Sequence, residues 1–162
     1  MTRSSLLALT TILCMLASVP ARADITGFIG VNTTPDNRQT RGFALGAGLF
    51  VFGFEFEYAD TVSSDDPVAP APAVKTGMAN VLLQTPFPIM GLQPYFTAGG
   101  GFYRETLGAH EDTSFGINTG GGVKVTLVGP LRLRFDYRVF KPGSGALYSP
   151  AHRVYAGLNL KF

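Results

Sequence analysis

The sequence has one cysteine, Cys14, no tryptophan and two histidines, His110 and His152. Cys14 lies in an apolar N-terminal run; once that run is removed, no thiol remains. That excludes a disulfide framework and a cysteine nucleophile from the rest of the chain. After residue 23 no apolar run approaches the roughly twenty residues of a membrane-spanning helix. Any membrane crossing must therefore use strands, which need only about ten residues each. Helical periodicity is missing as well: glycine, 20 in all, is too dense and apolar spacing never settles at 3.6.

The N-terminus reads as a signal peptide. Arg3 supplies a positive start, Leu6 to Val19 an apolar stretch, and Ala21-Arg22-Ala23 an A-x-A cleavage site. A lipoprotein anchored through Cys14 needs a small residue before the cysteine, and Leu13 stands there. Residues 1–23 are thus the expected leader and 24–162 a single domain. Loss of Arg3 and Arg22 brings the 13 Lys+Arg of the whole chain down to parity with its 11 Asp+Glu, so nucleic acid is not an expected partner.

Period-two alternation recurs throughout residues 24–162. It predicts strands near 25–33, 41–50, 52–60, 74–84, 92–104, 114–127, 130–140 and 152–162. Leu131-Arg-Leu-Arg-Phe-Asp-Tyr-Arg-Val139 is the clearest, with apolar or aromatic odd positions and charged even ones. Connections after strands 2, 4 and 6 are short (50–53, 85–91, 128–130). Those after strands 1, 3, 5 and 7 are longer and polar (33–40, 61–73, 105–113, 141–151). This rhythm fits an antiparallel up-and-down transmembrane β-barrel of about eight strands, with short turns at one end and loops at the other.

A soluble barrel alternates too, but turns its polar face to water. Here the less apolar face is small rather than charged: Gly42, Ala44, Gly46 and Gly48 on strand 2, and Gly116, Asn118, Gly120 and Gly122 on strand 6. Such a face suits a narrow lumen, where small residues make room for large ones opposite. The other face, with Phe43, Leu45, Phe54, Phe56, Phe96 and Phe102, suits lipid. Phe50, Phe52 and Phe162 are expected in one aromatic girdle, and Tyr58, Phe102, Tyr137 and Phe140 in the other.

Strands 3 and 7 lie across an eight-stranded ring. Glu55 and Glu57 come two and four residues after Gly53; Arg132 and Arg134 come two and four after Pro130. If shear is ignored they face each other at similar depth, with Asp136 and Arg138 above. Lys124, Arg153 and Lys161 join from strands 6 and 8. Isolated charges in so narrow a space are costly, so a paired network of Glu55, Glu57, Lys124, Arg132, Arg134, Asp136 and Arg138 is expected, holding the lumen closed. A narrow ion path through the same charges is the competing reading.

Catalytic signals are weak, and no catalytic residue, metal or cofactor is assigned. His110 stands near Glu111, Asp112 and Ser114, a set more typical of a solvated loop than of a metal site. His152 stands near Ser144 and Ser149, but Ser149 lies at the bend of a Ser-Pro turn and no matching hydrolase motif is evident. Gly120-Gly121-Gly122-Val-Lys124 opens no helix and so is no phosphate loop. The stretch 63–73 is acidic, then rich in Pro and Ala, and suits an exposed connection.

The signal peptide, the opening strand Ile25-Thr-Gly-Phe-Ile-Gly-Val31, the strand–loop rhythm and the ending Gly157-x-x-Leu160-x-Phe162 together resemble the small outer-membrane β-barrel family, of the OmpA/OmpX-like and OmpW-like kind. The resemblance implies a location in the bacterial outer membrane. It also implies insertion by the barrel-assembly machinery after periplasmic chaperoning, with Gly157, Leu160 and Phe162 as the insertion signal. Outer-membrane lipid and lipopolysaccharide are the implied partners, the latter through Arg41, Arg104, Lys141 and Arg153 at loop bases. A monomeric structural or surface-interaction barrel is the expected function, with a narrow pore or a lipid A-modifying enzyme as alternatives.

Overall fold

Alternation with period two puts successive side chains on opposite faces of a strand, and a sheet with one apolar and one polar face must hide one of them. In the computed structural model, which describes residues 22–64, 66, 70–143 and 145–162, the sheet hides its polar face by curling shut. Eight antiparallel strands follow one another around the ring: β1 Arg22–Asn32, β2 Arg38–Leu49, β3 Phe52–Thr61, β4 Ala73–Gln84, β5 Leu92–Leu107, β6 His110–Val128, β7 Leu131–Lys141 and β8 Ala151–Lys161. Each pairs with its sequence neighbour, and β8 closes on β1 from Asp24↔Lys161 to Asn32↔Arg153. Closure satisfies the strand hydrogen bonds internally and leaves no free edge, which a strand structure in hydrocarbon requires.

Three short connections lie at one end, here the turn end. Phe50 and Gly129 adopt left-handed backbone (φ 56° and 54°), as do Met90 and Gly91 (φ 54° and 80°), so the chain reverses there in few residues. The other end, the loop end, carries connections 33–37, 62–72 and 142–150. The loop expected over 105–113 is instead ladder: Glu105↔Asp112, Thr106↔Glu111 and Leu107↔His110 pair, leaving Gly108 and Ala109 as the turn. Gly108 has φ 58°, and the tight reversal it allows lets β5 and β6 outgrow their neighbours. The expected leader falls mostly on residues outside those described, Ala21 included. The β1 ladder already runs at Arg22, and Ala23 exchanges backbone hydrogen bonds of 3.2 and 2.9 Å with Phe162.

The outer wall is apolar all the way round. Ile29, Phe43, Phe54, Phe96, Phe102, Phe115, Phe135 and Leu158 all point outward and stay exposed, Phe54 at 59% and Phe102 at 66%. So much exposed apolar surface far exceeds any single patch normal for a monomer in water. Phe140 departs from the expected outer girdle. It follows Arg132, Arg134, Asp136 and Arg138 on the even face of β7 and is 5% exposed, packed inside with Val74, Met78 and Tyr103.

Candidate functional site

Among the described residues the buried charges gather in the lumen, and they do so in tiers. Alternation on β3 sends Glu55 and Glu57 inward, alternation on β7 sends Arg134, Asp136 and Arg138, and β8 adds Arg153 and Tyr155. Room for these groups comes from glycine. A Cβ on Gly122 would meet the carbonyl of Phe135 and, at 2.8 Å, the ring carbon Cζ of Tyr95; one on Gly120 would lie 2.9 Å from the Cα of Arg138.

The middle tier holds three acids and three bases, each with a side chain at most 1% exposed. Arg134 pairs with Glu55 through Nη1, reaches Asp136 at 3.0 Å through Nη2, and donates from Nε to the Tyr95 hydroxyl at 2.7 Å. Arg138 donates to Asp136 at 2.9 Å and to Glu55 at 2.7 Å. Its Nη1 sits 3.0 Å from Glu57 but off the N–H direction, so that contact is an ion pair without an aligned hydrogen bond. Arg153 completes the set, 2.9 Å from Glu57 and with its guanidinium 4.2 Å from the centre of the Phe140 ring. Tyr95 and Tyr155 donate to Asp136, the latter at 3.1 Å, and Phe28 stacks on Tyr155 with ring centroids 4.1 Å apart. Equal numbers of each sign, cross-linked by bidentate guanidinium contacts, offset the desolvation that any one of these ions would incur alone.

A second tier lies toward the turn end. Lys124 and Arg132 both hold Asp24 Oδ2, at 2.7 and 2.9 Å. Arg132 also donates to Asn159 at 2.7 Å and to Gln93 at 3.0 Å. The network expected from sequence is therefore two networks. Arg132 and Lys124 do not meet Glu55 or Glu57, because strand tilt and shear offset residues that face each other across the barrel. Glu55 and Glu57 meet residues further along β7, Arg134 and Arg138, and then Arg153 on β8. Arg153 is 1% exposed and points inward, so it is not a loop-base residue for lipopolysaccharide. Asp24, Tyr95 and Tyr155 are the participants that sequence reasoning missed. Asp24 looked like a mere first residue of the mature chain. The inward parity of Tyr95 and Tyr155 was the available signal, since a tyrosine facing a charged lumen brings a hydroxyl that can bridge ions.

The loop end is stoppered by backbone. Arg38 donates to the carbonyls of Pro72 and, at 2.7 Å, Thr34, while Glu105 accepts from the Leu147 amide at 3.0 Å. Among the singled-out histidines, His110 stands at the β5–β6 turn. Beside it Glu111 pairs with Arg104, whereas Asp112 accepts from Tyr103 at 3.4 Å on the opposite face. Neighbours in a strand point apart, which splits that candidate set. His152 faces outward, its Nδ1 2.7 Å from the Tyr137 hydroxyl. Ser144, a candidate partner, lies outside the described residues. Gly157 faces inward beneath Phe28, Leu160 faces outward, and Phe162 ends the β8–β1 seam.

No family model and no curated protein sequence matches the chain. Solved structures do. The N-terminal β-barrel domain of Pseudomonas aeruginosa OprF superposes with a TM-score of 0.67 at 14% identity, over 87% of this chain and 97% of that one. Neisserial surface protein A, NspA, gives 0.62 at 14% identity over 87% and 94%. The outer membrane enzyme PagL gives 0.52 at 13% identity over 86% and 98%. The fold is that of the small eight-stranded outer-membrane β-barrels.

Proposed function

We propose that this chain is an integral protein of the bacterial outer membrane, a closed barrel with a structural and surface-interaction role. The observation that carries the reading is the balanced six-charge cluster across the lumen, in which Arg134 and Arg138 are 0% exposed. A conducting path needs a continuous column of water or exchangeable ligands. A cluster whose every ion is held by fixed partners provides neither, and it ties β3 to β7 and β8 across the barrel. The apolar band around the middle of the outer wall supports membrane insertion; the turn end then faces the periplasm and the loop end the exterior.

The external connections, with the protruding β5–β6 hairpin, are the surface through which partners are met. Arg41, 76% exposed in its side chain, and Arg104 stand where lipopolysaccharide phosphates lie. Outer-membrane lipid, lipopolysaccharide, periplasmic chaperones and the barrel-assembly machinery are the proposed partners, with Gly157, Leu160 and Phe162 as the insertion signal. A closed ladder without free edges favours a monomer. The reading is non-enzymatic, although PagL is an enzyme of the same fold: the His152 contact is with a tyrosine rather than with a serine or an acid.

Single-channel conductance in planar bilayers tests the reading. Wild type is expected to stay closed, and the Glu55→Gln/Arg134→Gln double variant to open or to lose stability. Steady wild-type conductance that changes in the variant would overturn the closed-barrel reading in favour of a narrow pore.

A further inference from the structure

Below the second tier of charges the lumen opens at the turn end into a cavity of about 110 Å³. Four cations line it, Arg22, Lys124, Arg132 and Lys161, against Asp24 and Glu55. Glu55 is already engaged by Arg134 and, at 2.7 Å, Arg138, so it does not offset them. Asp24 is left as the sole counter-charge, and Lys124 and Arg132 share the same oxygen of it. Lys124 spends one of its three N–H donors there. Among the described residues no acceptor lies within bonding distance of the Lys161 or Arg22 side chains. If a leader is cleaved after Ala23, Arg22 departs but a new α-ammonium arises on Asp24, two residues further along β1, so the count of positive charges is kept.

We propose that this vestibule binds a small oxyanion of the phosphate or carboxylate class, held by Lys161 and Lys124 with Arg132 behind them. A cavity of about 110 Å³ takes one such ion with a little water, given roughly 30 Å³ per liquid water. Walls of low dielectric on all sides but one strengthen the attraction relative to an open surface. Lys161 sits at the rim, at the end of β8. Arg22, Lys124 and Arg132 line the same cavity, a crowding of positive charge that a bound anion relieves. A free periplasmic anion and the phosphate of an inner-leaflet lipid present the same chemistry.

The test is calorimetric titration of the protein, purified in a nonionic, phosphate-free detergent, with inorganic phosphate in one arm and short-chain phosphatidylglycerol in the other. Binding is expected in wild type, weakened about tenfold in Lys161→Gln, as for loss of one charge-assisted contact. It is expected to be retained in Lys161→Arg and unchanged in Arg41→Gln, on the outer side of the barrel. Saturation by phosphate identifies a free anion, and by the lipid alone a headgroup. No heat with either probe, or equal weakening in Lys161→Gln and Arg41→Gln, overturns the site. Unheated electrophoretic mobility verifies that each variant is folded.

Discussion

Replacing Arg138 by methionine keeps most of the side-chain volume and removes one of three cations from the middle tier. Glu55, Glu57 and Asp136 then face only Arg134 and Arg153, leaving a net negative charge where no side chain is more than 1% exposed. Breaking a buried ion pair from one side costs about 3–5 kcal/mol. Each carboxylate keeps one cation here, Arg134 for Glu55 and Asp136 and Arg153 for Glu57, so the lower end applies. A loss of about 3 kcal/mol lowers the folded-to-unfolded ratio more than a hundredfold. With no tryptophan in the chain, urea unfolding in phospholipid vesicles is best followed by mobility of unheated samples and by circular dichroism. The double variant Arg138→Met/Glu57→Gln restores equality, two charges of each sign, and should recover at least about 1 kcal/mol over the sum of the single losses. An Arg138→Met variant within about 0.5 kcal/mol of wild type, or strict additivity in the double, would refute the ion-network account.

Two further outcomes follow from the wall and from the loop end of the lumen. Leu158→Arg places a cation on the outer face in mid-strand and should cost about 2–4 kcal/mol for folding into a bilayer, read from the same urea midpoints; a neutral result would mean that this face does not meet hydrocarbon. Phe140→Ala removes the ring packed on Val74, Met78 and Tyr103 beneath Arg153 and should cost about 3 kcal/mol. An unmoved midpoint would return Phe140 to the outer wall.

Strand number, order and facing were legible because they rest on parity, which is local. Leu131 to Val139 states its own two faces, and the contrast between glycine on one side of β2 and phenylalanine or leucine on the other says which side is narrow. Depth across the lumen is not local. It depends on shear, a property of the whole ring, and so the pairing of Glu55 with Arg132 by equal distance from a turn failed where Glu55 with Arg134 and Arg138 stands. Phe140 was misplaced for a simpler reason: its aromatic character suggested a girdle, although its even position already put it inside. The β5–β6 extension was hidden because polar residues such as Glu111 and Asp112 read equally as loop or as a ladder standing in water.

The seam between β1 and β8 bears on the order of events in folding. Asn159 meets Thr26 across 133 residues of chain, Lys124 meets Asp24 across 100, and Arg153 meets Glu57 across 96. Until the ring shuts, none of these partners is near the other. An open sheet laid into hydrocarbon at that stage would expose Glu55, Glu57 and Arg153 without their ion partners, each at a cost of several kcal/mol. Closure and insertion must therefore proceed together, or closure must come first in a wet environment. The charges that stiffen the finished barrel thus act beforehand as a gate on assembly, penalising any chain that enters the membrane before its last strand has found its first.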